Sequence, residues 1–216
     1  MAGSRKVDAV SVDEMLLGTR RYRDLYVPLL DRSDIGADGI LGLDSLQDQR
    51  ILLDFERGLM AIEDARKSGT RGYEIIVAAR RKSGQLVVTN AEVDGIDVAV
   101  VIDTGSDSTI GNFALRDLMM RRIHKEQASL HSVTGQQIAA NVATARRLEV
   151  QRLTLDNILI AFADSPAFEA IGLENRPAIF LGVRELSAFD RVAIDFAKRR
   201  ILFDLPPTLQ FMNPRF

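Results

Sequence analysis

Short apolar runs separated by Gly, Asp, Asn and Pro set the rhythm of this chain, and that rhythm predicts strands. Val7-Asp8-Ala9-Val10-Ser11-Val12 alternates as a half-buried strand does, and Leu25-Tyr26-Val27-Pro28-Leu29-Leu30 predicts the next. Pro28 confines that second strand to an edge or a bulge. Ile51-Leu52-Leu53-Asp54-Phe55 and the residues through Met60 predict a hairpin that ends a first unit. Tyr73–Ala79, Leu86–Val93 and Ile96–Val100 predict further strands, the last two joined by Asp94-Gly95, a strong hairpin signal. Asn112 can cap a helix in which Phe113, Leu115, Leu118, Met119 and Ile123 recur at helical spacing as a core stripe. Ile194-Asp195-Phe196 and Ile201-Leu202-Phe203 predict a closing hairpin around the basic turn Ala197-Lys198-Arg199-Arg200.

One stretch departs from alternation. Val98-Ala99-Val100-Val101-Ile102 is unbroken and apolar, which predicts a strand buried on both faces. It delivers Asp103, followed at once by Thr104, Gly105 and Ser106. A carboxylate leaving such a strand is costly to bury unless its oxygens are satisfied. Gly105 allows the sharp turn that brings an N–H toward it, and the two hydroxyls are further donors.

A segment of the pattern also recurs. Ile40-Leu41-Gly42-Leu43-Asp44-Ser45-Leu46 lines up with Phe180-Leu181-Gly182-Val183-Arg184-Glu185-Leu186, and Ile51–Phe55 lines up with Val192–Phe196 after one inserted residue. Leu25–Leu29 has a weaker counterpart in Ile158–Phe162. Two copies this far apart indicate duplicated lobes rather than a solenoid.

Apolar-Asp-Thr-Gly-Ser, joined to the downstream Ala178–Leu186 segment, resembles the retropepsin-like and pepsin-like aspartic proteases, in particular the bacterial tandem-lobe kind. The resemblance implies a mainly β chain: an acid-protease β-barrel lobe preceded by the C-terminal half of a second, similar lobe. The boundaries expected are a partial first lobe over 1–62, lacking its own Asp-Thr-Gly loop, a polar linker over 63–72, a complete lobe over 73–205 and a tail over 206–216. By the same resemblance Asp103, Thr104 and Gly105 form the catalytic loop, with Thr104 bracing it across the lobe interface. Ser106 and the hairpin tip Thr134-Gly135 would contact bound peptide, the hairpin acting as a mobile flap. Arg184 departs from the acid that the family often carries two residues after the glycine, whereas Asp44 fits in the first copy.

The implied activity is endopeptidase, with water activated between two carboxylates that share one proton, because like charges about 3 Å apart cannot both ionise cheaply. No second Asp-Thr-Gly occurs in the 216 residues. The other aspartate would come from a missing N-terminal segment or from a second copy in a homodimer. The alternative is an inactive peptide-binding module on the same fold. The incomplete first copy favours a missing segment, since nothing before Val7 leaves room for a strand, an acid loop and a flap. The chain by itself is expected to be feeble or active only as a dimer.

Composition narrows the alternatives. A net charge of -2 argues against a nucleic-acid partner, and no apolar run reaches the roughly 18 residues of a membrane span. The first residues have no apolar stretch of the signal-peptide kind behind them; the family resemblance implies a periplasmic or secreted setting. Cysteine is absent, which removes disulfides and thiolate chemistry, and His124 and His131 are too few for a histidine metal site and are expected to be exposed. No cofactor or metal is implied. Gly36–Gly42 lacks dinucleotide spacing, Asp31, Asp34 and Asp38 lack the closing glutamate of a calcium loop, and no serine sits in a nucleophile elbow.

Overall fold

A computed structural model describes residues 6–17, 20–42, 46–119, 126–131 and 137–207. The chain is mainly β, and six strands close into a barrel, as expected of an acid-protease lobe. The barrel strands are β7 (Gln85–Val93), β8 (Ile96–Ile102), β9 (Thr109–Gly111), β11 (Gln137–Val150), β12 (Leu153–Phe162) and β13 (Ala178–Leu181). They follow one another in the order β11-β12-β9-β13-β8-β7, and β7 returns to β11 through Val93 opposite Leu148 and Ala91 opposite Val150. Closure removes the exposed edges that an open sheet would leave. Two pairings are parallel, β9 with β12 and β8 with β13, and the rest are antiparallel.

The unbroken run in β8 has a direct explanation. Val98 and Val100 point into the main core, while Ala99 and Val101 point into a second apolar cluster with Phe168, Phe180 and Ile110. Both faces of the strand are therefore buried, and none of these four residues exceeds 2% exposure. Each such valine contributes roughly 1.5–3 kcal/mol by leaving water. At the other end of the strand, Asp94 and Gly95 both take positive φ, 49° and 78°, which is the type I′ geometry that the pair favours.

The helix after the acid loop, α2 (Phe113–Met119), is capped by Asn112, whose Oδ1 accepts from Leu115 N at 3.0 Å. The expected core stripe is only partly realised. Leu115 and Met119 are buried, but Leu118 is 61% exposed and Phe113 is 38% exposed beneath the Arg116 guanidinium, 3.9 Å from its ring. A helix this short, lying on one side of the barrel, buries a narrow stripe instead of the wider apolar face that the spacing suggested. Ile123, His124 and the tail from residue 208 lie outside the described residues, and nothing is described of the His131 side chain.

Before the barrel come β1 (Ala9–Leu17) and β2 (Arg20–Pro28), then the short helix α1 (Arg32–Ile35). Pro28 ends β2. This hairpin repeats the register of β11 and β12 pair for pair. Ala9 faces Pro28 as Val142 faces Ala161, Val12 faces Leu25 as Ala145 faces Ile158, and Leu17 faces Arg20 as Val150 faces Leu153. Even the irregularity repeats. Asp13 and Asp24 are skipped in one ladder and Arg146 and Asn157 in the other, with φ of 54° at Asp24 and 59° at Asn157. Asp and Asn are the residues that tolerate that conformation most readily after glycine.

A five-stranded sheet joins the two units in the order β4-β3-β14-β15-β5. Its members are β3 (Gln49–Asp54), β4 (Leu59–Asp64), β5 (Ile75–Ala78), β14 (Arg191–Asp195) and β15 (Arg200–Asp204). β4 runs to Asp64, so the polar linker expected from residue 63 begins inside a strand. Where β3 meets β14, Leu52 faces Ala193, Arg50 faces Asp195 and Asp54 faces Arg191. Those residues are counterparts in the sequence repeat, so the two terminal hairpins pair about a local twofold centred on Leu52 and Ala193. The hydrogen bonds obey it as well. Phe55 N donates to Asp190 O and Phe196 N to Gln49 O, while Asp54 Oδ1 and Asp195 Oδ1 each accept at 2.9 Å from the amide three residues on.

Candidate functional site

Asp103 lies just past β8, where the strand's ladder with β13 ends in a bond from Asp103 N to Leu181 O of 3.0 Å. Its carboxyl is half-buried, and Oδ1 accepts from Gly105 N at 3.0 Å. That is the turn the sequence anticipated. Burial pushes the carboxyl pKa up from its ordinary value, and the Gly105 amide pulls it back in part. Thr104 and Gly105 are exposed on the rim, with the Thr104 hydroxyl bonded to no described residue. Ser106 turns the other way. Its hydroxyl donates to Ser108 O at 2.8 Å and so stiffens the loop.

The loop rests on the start of a short helix, α4 (Val183–Leu186), reached from β13 through Gly182. Val183 N donates to Ser106 O at 2.8 Å and Arg184 N to Asp107 O at 3.0 Å. A Cβ on Gly182 would stand 2.6 Å from Ser108 C and 2.7 Å from Ser108 O, a distance that real Cβ atoms do not reach. The glycine is thus required by close backbone approach. Arg184, the departure from the family pattern, pairs with Asp107 at 3.0 Å on the exposed side. Cation and anion here lock the same loop and helix together from outside.

Two further groups brace this arrangement: Thr109, which the sequence did not single out, and Asn112, which it offered only as a helix cap. Thr109, fully buried at the start of β9, accepts from Gly182 N at 3.1 Å and donates to the buried Glu185 carboxylate. Asn112 fills its whole hydrogen-bonding capacity. Its amide donates to Leu173 O and Arg176 O at 2.8 and 2.7 Å, and its oxygen accepts from Leu115 N and Ala178 N at 3.0 and 3.2 Å. Burial makes each of these polar groups costly unless it is fully paired.

The four loop residues predicted for the site, Asp103 to Ser106, are therefore contiguous and presented together. The predicted flap residues Thr134 and Gly135 lie outside the described residues, between β10 (Glu126–His131) and β11. Among the described residues, no cluster of three or more His, Cys, Asp or Glu could hold a metal ion. No helix among them is long and apolar enough to cross a membrane.

No protein-family model and no curated protein matches the chain. Among solved structures it is similar to a retropepsin-like aspartic protease from Rickettsia conorii, at 18% identity and a TM-score of 0.43 over 61% of this chain and 89% of that one. It is also similar to the basic 7S globulin of soybean, at 13% identity and 0.34 over 72% and 50% of the two chains. Conglutin gamma, a basic 7S globulin of lupine seeds, gives 9% and 0.37 over 96% and 70%. At these values the likenesses are of fold alone.

Proposed function

We propose that the chain carries one half of the catalytic centre of an aspartic endopeptidase, with Asp103 as one of two carboxylates that activate water between them. The observation that carries this reading is the Asp103 loop itself. A carboxyl at the mouth of a doubly buried strand is braced by Gly105 N–H and raised in pKa by burial, beside an exposed Thr104. A carboxyl that tends to keep its proton is suited to share one with a second acid, which polarises the scissile carbonyl while its partner activates water. Thr104 and Gly105 shape the loop, and Ser106 stands beside them on the side proposed for bound peptide.

The test is cleavage of an unfolded protein at mildly acidic pH by the chain at concentrations that allow it to pair, or joined to a second Asp-Thr-Gly lobe, because one chain carries one of the two carboxylates. Fragments should appear, be suppressed by a statine-type inhibitor and vanish in Asp103→Asn. An identical fragment pattern from wild type and Asp103→Asn sinks the proposal. The alternative reading is a peptide-binding module without turnover on the same fold. Equal peptide affinity in both proteins, without cleavage, establishes that reading instead.

A further inference from the structure

The fold does not call for the cations of the turn between β14 and β15. Its counterpart across the local twofold is the turn between β3 and β4, and the two share one backbone design. Asp54 and Asp195 accept from the equivalent amides of Arg57 and Lys198, and Gly58 and Arg199 both take positive φ, 62° and 51°. Glycine adopts that conformation freely, whereas a residue with a Cβ does so at a cost. The first turn reads Glu56-Arg57-Gly58-Leu59 and is electrically balanced, but the second reads Ala197-Lys198-Arg199-Arg200. One geometry is therefore basic in one copy only, and one of its cations stands where glycine would fit better.

Two more pairs of cations join this turn. Glu63, Arg50, Asp195, Arg200 and Ala78 face one another in a continuous row, so β4, β14 and β5 all finish at the same end of the five-stranded sheet. Each then leads into two adjacent cations: Arg66-Lys67 after β4, Lys198-Arg199 after β14 and Arg80-Arg81 after β5. Hydrogen bonds tie the three segments together. Lys198 Nζ donates to Ser68 O at 3.1 Å, Arg81 Nη2 to Phe196 O at 2.8 Å and Ala79 N to Arg199 O at 2.9 Å. All six cations are exposed, and none forms an ion pair among the described residues. Of the acids at this end, Glu63 is paired with Arg50 and Asp195 with Arg200, which leaves Asp48 and Asp64.

We infer that this rim docks on a bilayer surface that carries anionic phospholipid headgroups. Strands about 4.8 Å apart separate β4 from β5 by roughly 19 Å, so a small anion meets one pair of cations and a flat polyanion meets all three. A nucleic-acid strand is held along a groove, and these cations stand on turns at the end of a sheet. The rim lies at the opposite end of β14 from α4, on which the acid loop rests. A five-residue strand spans about 17 Å, about twice the Debye length at physiological salt. Asp54 and Asp204, at the other end of the sheet, are thus screened from the membrane, and the net charge of -2 does not oppose docking.

The test is co-sedimentation of the full chain with vesicles, either phosphatidylcholine alone or two parts phosphatidylcholine to one part phosphatidylglycerol. Binding should require the phosphatidylglycerol and weaken as salt is raised. Arg199→Gly should lower the vesicle partition coefficient by about fivefold, the effect of one cation near such a surface. Its Tm should be unchanged or raised, because glycine suits the turn. Arg57→Ala, at the twofold-related turn, should leave the partition coefficient unchanged. Equal binding to both kinds of vesicle, or equal losses from Arg199→Gly and Arg57→Ala, overturns the inference. So does a duplex oligonucleotide that binds more tightly than the anionic vesicles and is weakened equally by Arg199→Gly.

Discussion

Arg50 and Arg191 both lie over the same aromatic ring, their guanidinium carbons 5.0 and 5.1 Å from the centroid of Tyr73. The two arginines are counterparts across the local twofold, and each also pairs with the acid opposite it, Arg50 with Glu63 and Arg191 with Asp204. Each further donates to a carbonyl of the chain leading into Tyr73, Arg50 to Gly69 O and Arg191 to Gly72 O. The segment between the units is thus clamped on the twofold. Tyr73→Leu should lose both cation–π contacts, about 1–2 kcal/mol in all. Urea denaturation reads it, and Tyr73→Phe, which keeps the ring, should stay close to wild type. Equal losses in the two variants would mean that the guanidinium groups do not hold the ring.

Gly182 gives the sharpest steric prediction. An added methyl meets backbone atoms of Ser108, which cannot rotate away as a side chain can. Gly182→Ala should cost about 1–3 kcal/mol and shift the amide resonances of residues 103–108. Gly69→Ala is the control, since its Cβ meets only Arg71 N at 4.0 Å. A Gly182→Ala protein with unchanged loop resonances would show that the loop is not seated on this glycine.

The contrast between these positions and α2 explains what the sequence could and could not disclose. Asp94-Gly95 and the run Val98–Ile102 were legible because each carries a local constraint: a turn conformation and burial on both faces. The β3–β14 pairing was legible only as a repeat. Similar strings marked the two hairpins as counterparts, but nothing local said that they pair with each other. The exposure of Phe113 and Leu118 was not legible, because helical spacing reports which residues share a face and not how much of it the barrel covers. The Thr109–Glu185 contact spans distant parts of the chain and has no local signature at all.

That contact is open to a double-mutant test. Thr109→Val removes the hydroxyl that serves both Gly182 N and the buried Glu185 carboxylate. A buried acceptor left unpaired costs about 1–3 kcal/mol, more when charged. Adding Glu185→Leu removes the stranded charge and should recover part of the loss, so the two substitutions are not additive. Strict additivity in thermal or urea denaturation would mean that the two side chains do not act as a pair.

The response of Asp103 to pH can be read without turnover. Burial raises the carboxyl pKa in the folded chain above its unfolded value. The fold therefore prefers the protonated form. The stability this group contributes is fully present below the unfolded pKa and is lost as pH rises through the folded pKa. Asn mimics the protonated carboxyl and cannot ionise. Asp103→Asn should thus match wild type in Tm at low pH and exceed it once the wild-type group has ionised, the gap opening between the unfolded and folded pKa values. A Tm series across that range reads the effect directly. A gap that is constant with pH, or that favours wild type at neutral pH, would mean that the Gly105 amide outweighs burial and that the loop is built to hold a charge and not a shared proton.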